Sequence, residues 1–110
     1  VDGEISWIGK VGREFTLEQG QRAARDSALM MLACIKEALG TLDKVEEIVR
    51  IKGYINVEPD FTEVSACLNG ASELLVELYG DPGQHTRTAI GVASMPFGVA
   101  IEVEGIFEVS

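Results

Sequence analysis

Arg87, Glu102 and Glu104 are the residues of this chain whose types and spacing could do chemistry. They sit in one stretch, Arg87 to Glu104, that reads as two strands joined by a Met95-Pro96-Phe97-Gly98 turn. A planar guanidinium can grip a carboxylate through two parallel hydrogen bonds. A carboxyl group beside it can orient a water or carry a proton, because partial burial raises its pKa toward neutrality. Strand parity puts Arg87, Ala89 and Gly91 on one face, opposite Thr88, Ile90 and Val92. It puts Ala100, Glu102 and Glu104 on one face of the following strand and Val99, Ile101 and Val103 on the other. A turn centred on Met95-Pro96 would lay Arg87, Ala89 and Gly91 alongside Ala100, Glu102 and Glu104. That face is small-residued with a few charges, and suits subunits closing around a small cavity. The plain alternative is a structural ion pair from Arg87 to Glu102 or Glu104.

Other reactive types read more simply. His85 is the only histidine and stands in a polar loop, where a solvated side chain is the default. Trp7 and Phe97 read as core or interface packing. Cys34 and Cys67 fall on apolar helical stripes, the usual setting of a buried free thiol. Gly9-x-x-Gly12 is too short for a phosphate loop. One histidine and scattered carboxylates give no metal-ligand spacing, so neither a metal nor another cofactor is expected.

The elements that must position these groups are legible from period and punctuation. Ile5, Trp7 and Ile8 suggest a short strand before Gly9 and Gly12. Thr16-x-x-Gln19 is a capping-box pattern. Ala24, Ala28, Met31, Leu32, Ile35 and Leu39 then recur at helical spacing up to Gly40, so a helix is predicted over Leu17–Leu39. Ile48, Val49, Ile51, Tyr54, Ile55 and Val57 predict a strand over Glu47–Val57, with Gly53 marking a bulge or a close backbone approach. Asp60 or Thr62 can start a second helix. It carries Val64, Cys67, Leu68, Ala71, Leu75 and Leu78, and Gly80 and Pro82 close it. Strands over Thr86–Ala93 and Val99–Val109 complete the order. Helices on one face of a mixed sheet make an α+β two-layer sandwich with the other sheet face open.

The chain has 110 residues, which suits a single domain, 1–110. Apolar residues make up 46%, which argues against disorder. No apolar run approaches the roughly 20 residues of a membrane-spanning helix, and no secretory leader is visible. The net charge of −9 repels phosphate backbones, so neither nucleic acid nor membrane is an expected partner. Two cysteines are too few for a disulfide scaffold and suit a reducing cytoplasm.

On these residues the chain resembles the RidA family, also called YjgF and once named for endoribonuclease activity. The likeness is strongest over Arg87–Val103, where an arginine strand, a proline turn and Ile101-Glu102-Val103 follow the family pattern. Asn69-Gly70-Ala71-Ser72 and Ile106-Phe107-Glu108-Val109 resemble its chorismate mutase-like subgroup, a label that reflects a shared fold. The resemblance implies homotrimers with sites between subunits. It implies hydrolysis of reactive enamines and imines, such as 2-aminoacrylate, to 2-keto acids and ammonium. It gives Arg87 the substrate carboxylate, with Ala89 and Gly91 beside it, and gives Glu102 the water or proton. It also implies that the family's first strands would precede Val1. Two positions depart from the pattern: a common cysteine is Ala89 here, and a common tyrosine on the second helix is Ser72. A trimer that binds a small carboxylate without turnover is the alternative.

Overall fold

The computed structural model describes residues 7–110; the part of the expected first strand at Ile5 lies outside them. Helix α1 spans Leu17–Leu39, as the periodicity requires. Its capping box forms in full: Gln19 N–H donates to Thr16 Oγ1 at 3.2 Å, and Thr16 N–H donates to Gln19 Oε1 at 2.9 Å. Gly40 ends it in the left-handed region at φ 83°, which glycine enters without steric cost.

Strand β1 spans Val45–Asn56 and helix α2 spans Val64–Tyr79. Strand β2 spans Thr86–Val92 and strand β3 spans Ile101–Val109. Val45, Ile48 and Ile51 are all buried although they are three residues apart. Irregular register against β3 between Val45 and Glu47, and again between Ile48 and Arg50, allows this. Each bulge inserts a residue and restores the apolar side chain to the core face. Helix α2 starts at Val64, and its N-cap is Glu63, whose side chain makes no capping bond, and not Asp60 or Thr62.

The sheet order is β2-β1-β3, with β1 parallel to β2 and antiparallel to β3. The last two strands are therefore not the adjacent pair that the Met-Pro turn suggested. Residues 93–100 carry the chain across the end of β1, where Asn56 N–H donates to Ala100 O at 2.8 Å and Val57 N–H to Val92 O at 3.1 Å. The two helices cover one face of this sheet, and Ile51, Gly53, Ile55, Leu68, Leu75 and Ala28 are among the buried residues between them. Gly53 marks a close approach: a Cβ there would meet Leu68 Cδ1 at 2.6 Å.

Lys10 ties the loop before α1 to the ends of β1 and β2. Its ammonium donates to Asn56 Oδ1 at 2.8 Å and to the backbone carbonyl of Ala93. Asn56 is the buried polar residue here, and its Nδ2 donates to Val99 O at 3.2 Å. Lys10→Met keeps the aliphatic stem but strands Asn56 Oδ1 without its cation. A loss of about 2 kcal/mol is expected, from the cost of leaving a buried acceptor unpaired. Urea unfolding should show it as a lower midpoint at unchanged slope.

Candidate functional site

The parallel pairing of β2 with β1 decides where Arg87 points. Arg87 is opposite Ile51, Ala89 opposite Gly53 and Gly91 opposite Ile55, so all three share the helix-covered face. They lie beneath α2 and not on the open face. Arg87 is half-buried there. Its Nη1 donates to Ser72 Oγ at 3.0 Å, and its Nη2 donates to Ser65 Oγ at 2.9 Å and Ser65 O at 2.8 Å. Among the described residues, no carboxylate lies within salt-bridge distance of it.

Ala89 and Gly91 remain beside Arg87 as the parity requires. Their small size has a packing cause. Ala89 sits against the core, and a Cβ on Gly91 would meet Val57 Cγ2 at 3.0 Å and Val64 Cγ2 at 3.2 Å. Larger residues would push α2 away from the sheet.

Glu102 and Glu104 lie on the other face. They pair with Tyr54 and Lys52, and both are exposed. Arg87 and Glu102 thus occupy the two outer strands, on opposite faces, about 10 Å apart in strand spacing alone. One chain cannot join them into a single site, nor into the ion pair that was the plain alternative. The expected small-residue open face is also replaced. It carries Arg50, Lys52, Tyr54, Thr88 and Ile90 beside the two glutamates, and Arg50 Nη2 donates to Thr88 Oγ1 at 3.0 Å.

Glu102 instead contributes to the wall of a cavity of about 570 Å³ between α1 and β3. Met30, Met31, Phe97 and Val103 make it mostly apolar, and Asp26 and Cys34 add polar groups. Trp7 also lines it, and its Nε1–H donates to Asp26 Oδ2 at 2.9 Å. Phe97 is not a core residue: it stands 84% exposed on the connection between β2 and β3. Among the described residues no three His, Cys, Asp or Glu side chains gather as a metal site would need.

A polar loop predicts a solvated His85, and the structure corrects this. It is half-buried, with Nδ1 2.6 Å from Gly83 O and Nε2 2.9 Å from Ser72 Oγ. The turn Asp81–Gly83 brings it back against α2. Ser72, His85, Arg87 and Ser65 therefore form one polar cluster. Ser72 stands out in the chain only as a departure from a family pattern, and no spacing rule links residues 72 and 85.

The cysteines divide. Cys67 is buried against Gly20 of α1, and its thiol is pushed up to about 11, first by burial and then by the nearby Glu63 carboxylate. Cys34 is exposed, not buried as its apolar stripe suggested, because the buried stripe of α1 runs through Ala24, Ala28 and Leu32. Iodoacetamide at pH 8 should therefore add one group, on Cys34, and reach Cys67 only in denaturant. Thiolate is the reactive form, and Cys67 holds its proton through that range. Peptide mapping that finds Cys67 alkylated in the folded protein would contradict its burial.

The fold and the cluster define a class before any relative is considered. This is a two-layer α+β unit with an arginine held under its second helix that has no carboxylate partner among the described residues. The pattern of the family described as "YjgF/chorismate mutase-like, putative endoribonuclease" matches residues 1–107, and the chain belongs to that family. Protein TCP17 of Trypanosoma cruzi is 42% identical over 103 residues, covering 93% of this chain and 64% of that protein. The chain thus spans just under two thirds of that relative. A crystal structure of a protein of unknown function from Agrobacterium tumefaciens superposes with a TM-score of 0.97 at 38% identity, covering 100% of this chain and 70% of the other. A second, described as a "putative endoribonuclease" from Shewanella oneidensis, gives 0.95 at 31% identity, with coverage of 99% and 72%.

Proposed function

We propose that this protein takes small carboxylate-bearing enamines or imines at Arg87 and hydrolyses them to 2-keto acids and ammonium. The observation that carries this is the state of Arg87. It is half-buried, positioned by two serines, and has no carboxylate partner among the described residues. A guanidinium in that setting favours an anionic ligand. The substrate side of the chemistry is light. An enamine takes a proton at carbon to give the iminium, water adds to the C=N carbon, and ammonia leaves from the resulting carbinolamine. Placement and modest acid–base help suffice.

Glu102 serves this reaction only as a residue of a neighbouring copy, because in one chain it faces away from Arg87. A homotrimer that brings β3 of one copy to β2 of the next is therefore part of the proposal. The free thiols of Cys34 and Cys67 suit a reducing cytoplasm. The separation of Glu102 from Arg87 also favours a second reading, a trimer that holds a small carboxylate without turnover.

The test is keto-acid release from an imine generated in situ by an amino acid oxidase, with light scattering on the same sample. Acceleration by a trimer supports the deaminase. Binding of a 2-keto acid without acceleration supports the second reading. Neither binding nor acceleration would sink both.

A further inference from the structure

We propose that Ser72 is an acylatable nucleophile activated by His85, which would give the protein an esterase-type reaction on small acyl esters and thioesters. The inference does not rest on the deaminase proposal, which uses Ser72 only to position Arg87 and asks nothing of His85.

The direction of each hydrogen bond follows from what its partner can do. Gly83 O only accepts, so the 2.6 Å contact fixes the proton of a neutral His85 on Nδ1. Nε2 is then the bare nitrogen. Arg87 only donates, so its Nη1 gives a hydrogen to Ser72 Oγ and takes none. The hydroxyl proton of Ser72 is left to point along the 2.9 Å contact to Nε2. This is the arrangement of a nucleophile, a base within hydrogen-bond reach, and a third group that orients the base. A carbonyl oxygen fills the orienting place that a carboxylate takes in a catalytic triad.

The surroundings favour the same chemistry. The guanidinium beside Oγ stabilises negative charge on that oxygen and on a carbonyl oxygen attacked next to it. All three side chains are half-buried, neither sealed in the core nor swept by solvent. The three are carried by different elements: Ser72 by α2, His85 by the segment before β2, and Arg87 by β2.

The step balances without any further reagent. Ser72 Oγ attacks the acyl carbon as its proton passes to Nε2. The acyl–oxygen or acyl–sulfur bond breaks, and the departing alcohol or thiol takes that proton from Nε2. Water then attacks the acyl-serine, its proton again passing to Nε2 and on to Oγ, and the carboxylic acid is released.

The probe is an alkyl fluorophosphonate, in which Oγ displaces fluoride from phosphorus. Intact mass and peptide mapping read the adduct, and p-nitrophenol release from p-nitrophenyl acetate reads turnover. We expect one adduct, on Ser72, absent in Ser72→Ala. His85→Gln should slow its formation about 100-fold or more, the usual contribution of a positioned general base. Wild-type protein that stays unmodified in excess probe would overturn the proposal. So would adducts spread over other residues at rates indifferent to His85→Gln. The wild-type mapping alone can decide against it, so a variant that misfolds does not protect the idea.

Discussion

Arg87→Ala is expected to weaken binding of a small 2-keto acid about 100-fold, while the fold stays intact. Two charge-assisted hydrogen bonds to a carboxylate contribute roughly 3 kcal/mol together, and every 1.4 kcal/mol is tenfold in affinity. Arg87→Lys should retain more binding and lose about tenfold, because an ammonium keeps the charge but not the planar fork. The stability cost is small by comparison. The hydrogen bonds lost are to Ser65 and Ser72, which are not buried and can turn to water. Isothermal titration with pyruvate, which the proposed reaction cannot consume, separates affinity from turnover. Equal affinity in wild type and Arg87→Ala would remove Arg87 as the anchor and with it the basis of the proposed function.

Gly70→Ala is the substitution with the largest expected effect on stability. Gly70 lies where α2 crosses α1. A Cβ there would fall 1.9 Å from Gln21 O and 2.7 Å from Gln21 C, both backbone atoms of α1. No rotamer relieves such a contact, so the helices must separate. They are held together at this point by Gln21 Nε2, which donates to Ala66 O at 3.0 Å, and by Gly20, Ala23, Ala24 and Ala71 on the facing surfaces. Alanine is the better helix former by about 1 kcal/mol, which offsets part of the strain. Overpacking costs of about 1–3 kcal/mol, and more against backbone, leave a net loss of roughly 2–3 kcal/mol. In a domain of this size that is a fall in Tm of about 10–20 °C. Gly40→Ala is the matched control: φ is positive there but nothing lies within 4 Å of the added Cβ, so only about 1 kcal/mol should be lost. A Gly70→Ala melt within a few degrees of wild type would show that the helices do not meet so closely.

Local signals gave the element ends most sharply where a cap chemistry marks them. Thr16, Gln19 and Gly40 bracket α1 to the residue because each supplies a bond or a conformation that only a helix end uses. The start of α2 has no such marker. Asp60 and Thr62 are good capping types, yet the N-cap is Glu63, with no side-chain capping bond, and the helix begins at Val64. Strand β1 was recognisable from its β-branched residues, but its two irregular pairings were not, because a bulge depends on the partner strand and leaves no period in the chain itself.

The site was legible in its parts and wrong in its assembly. Parity correctly grouped Arg87 with Ala89 and Gly91, and Glu102 with Glu104. It cannot say which strand lies next to which, nor which group faces the helices. The Met95-Pro96 turn suggested that β2 and β3 pair. In fact β1 lies between them and pairs with each through its own hydrogen bonds, and this sends Arg87 under α2 and Glu102 to the open side. Nothing in the sequence linked Ser72 to His85, since one lies inside a helix and the other after a turn.

The sequence by itself determined the family, the two helices and the three strands after α1 in their order, and the membership of each strand face; of the expected first strand the described residues keep only a single bridge from Ile8 to Val99. These follow from period, caps and short-range sterics, which act within about a dozen residues. Only the tertiary structure decided the neighbour of each strand, the closeness of the helices at Gly70, and the cluster of Ser72, His85 and Arg87. Those depend on contacts between segments far apart in the chain, and burial of the whole apolar face selects among them.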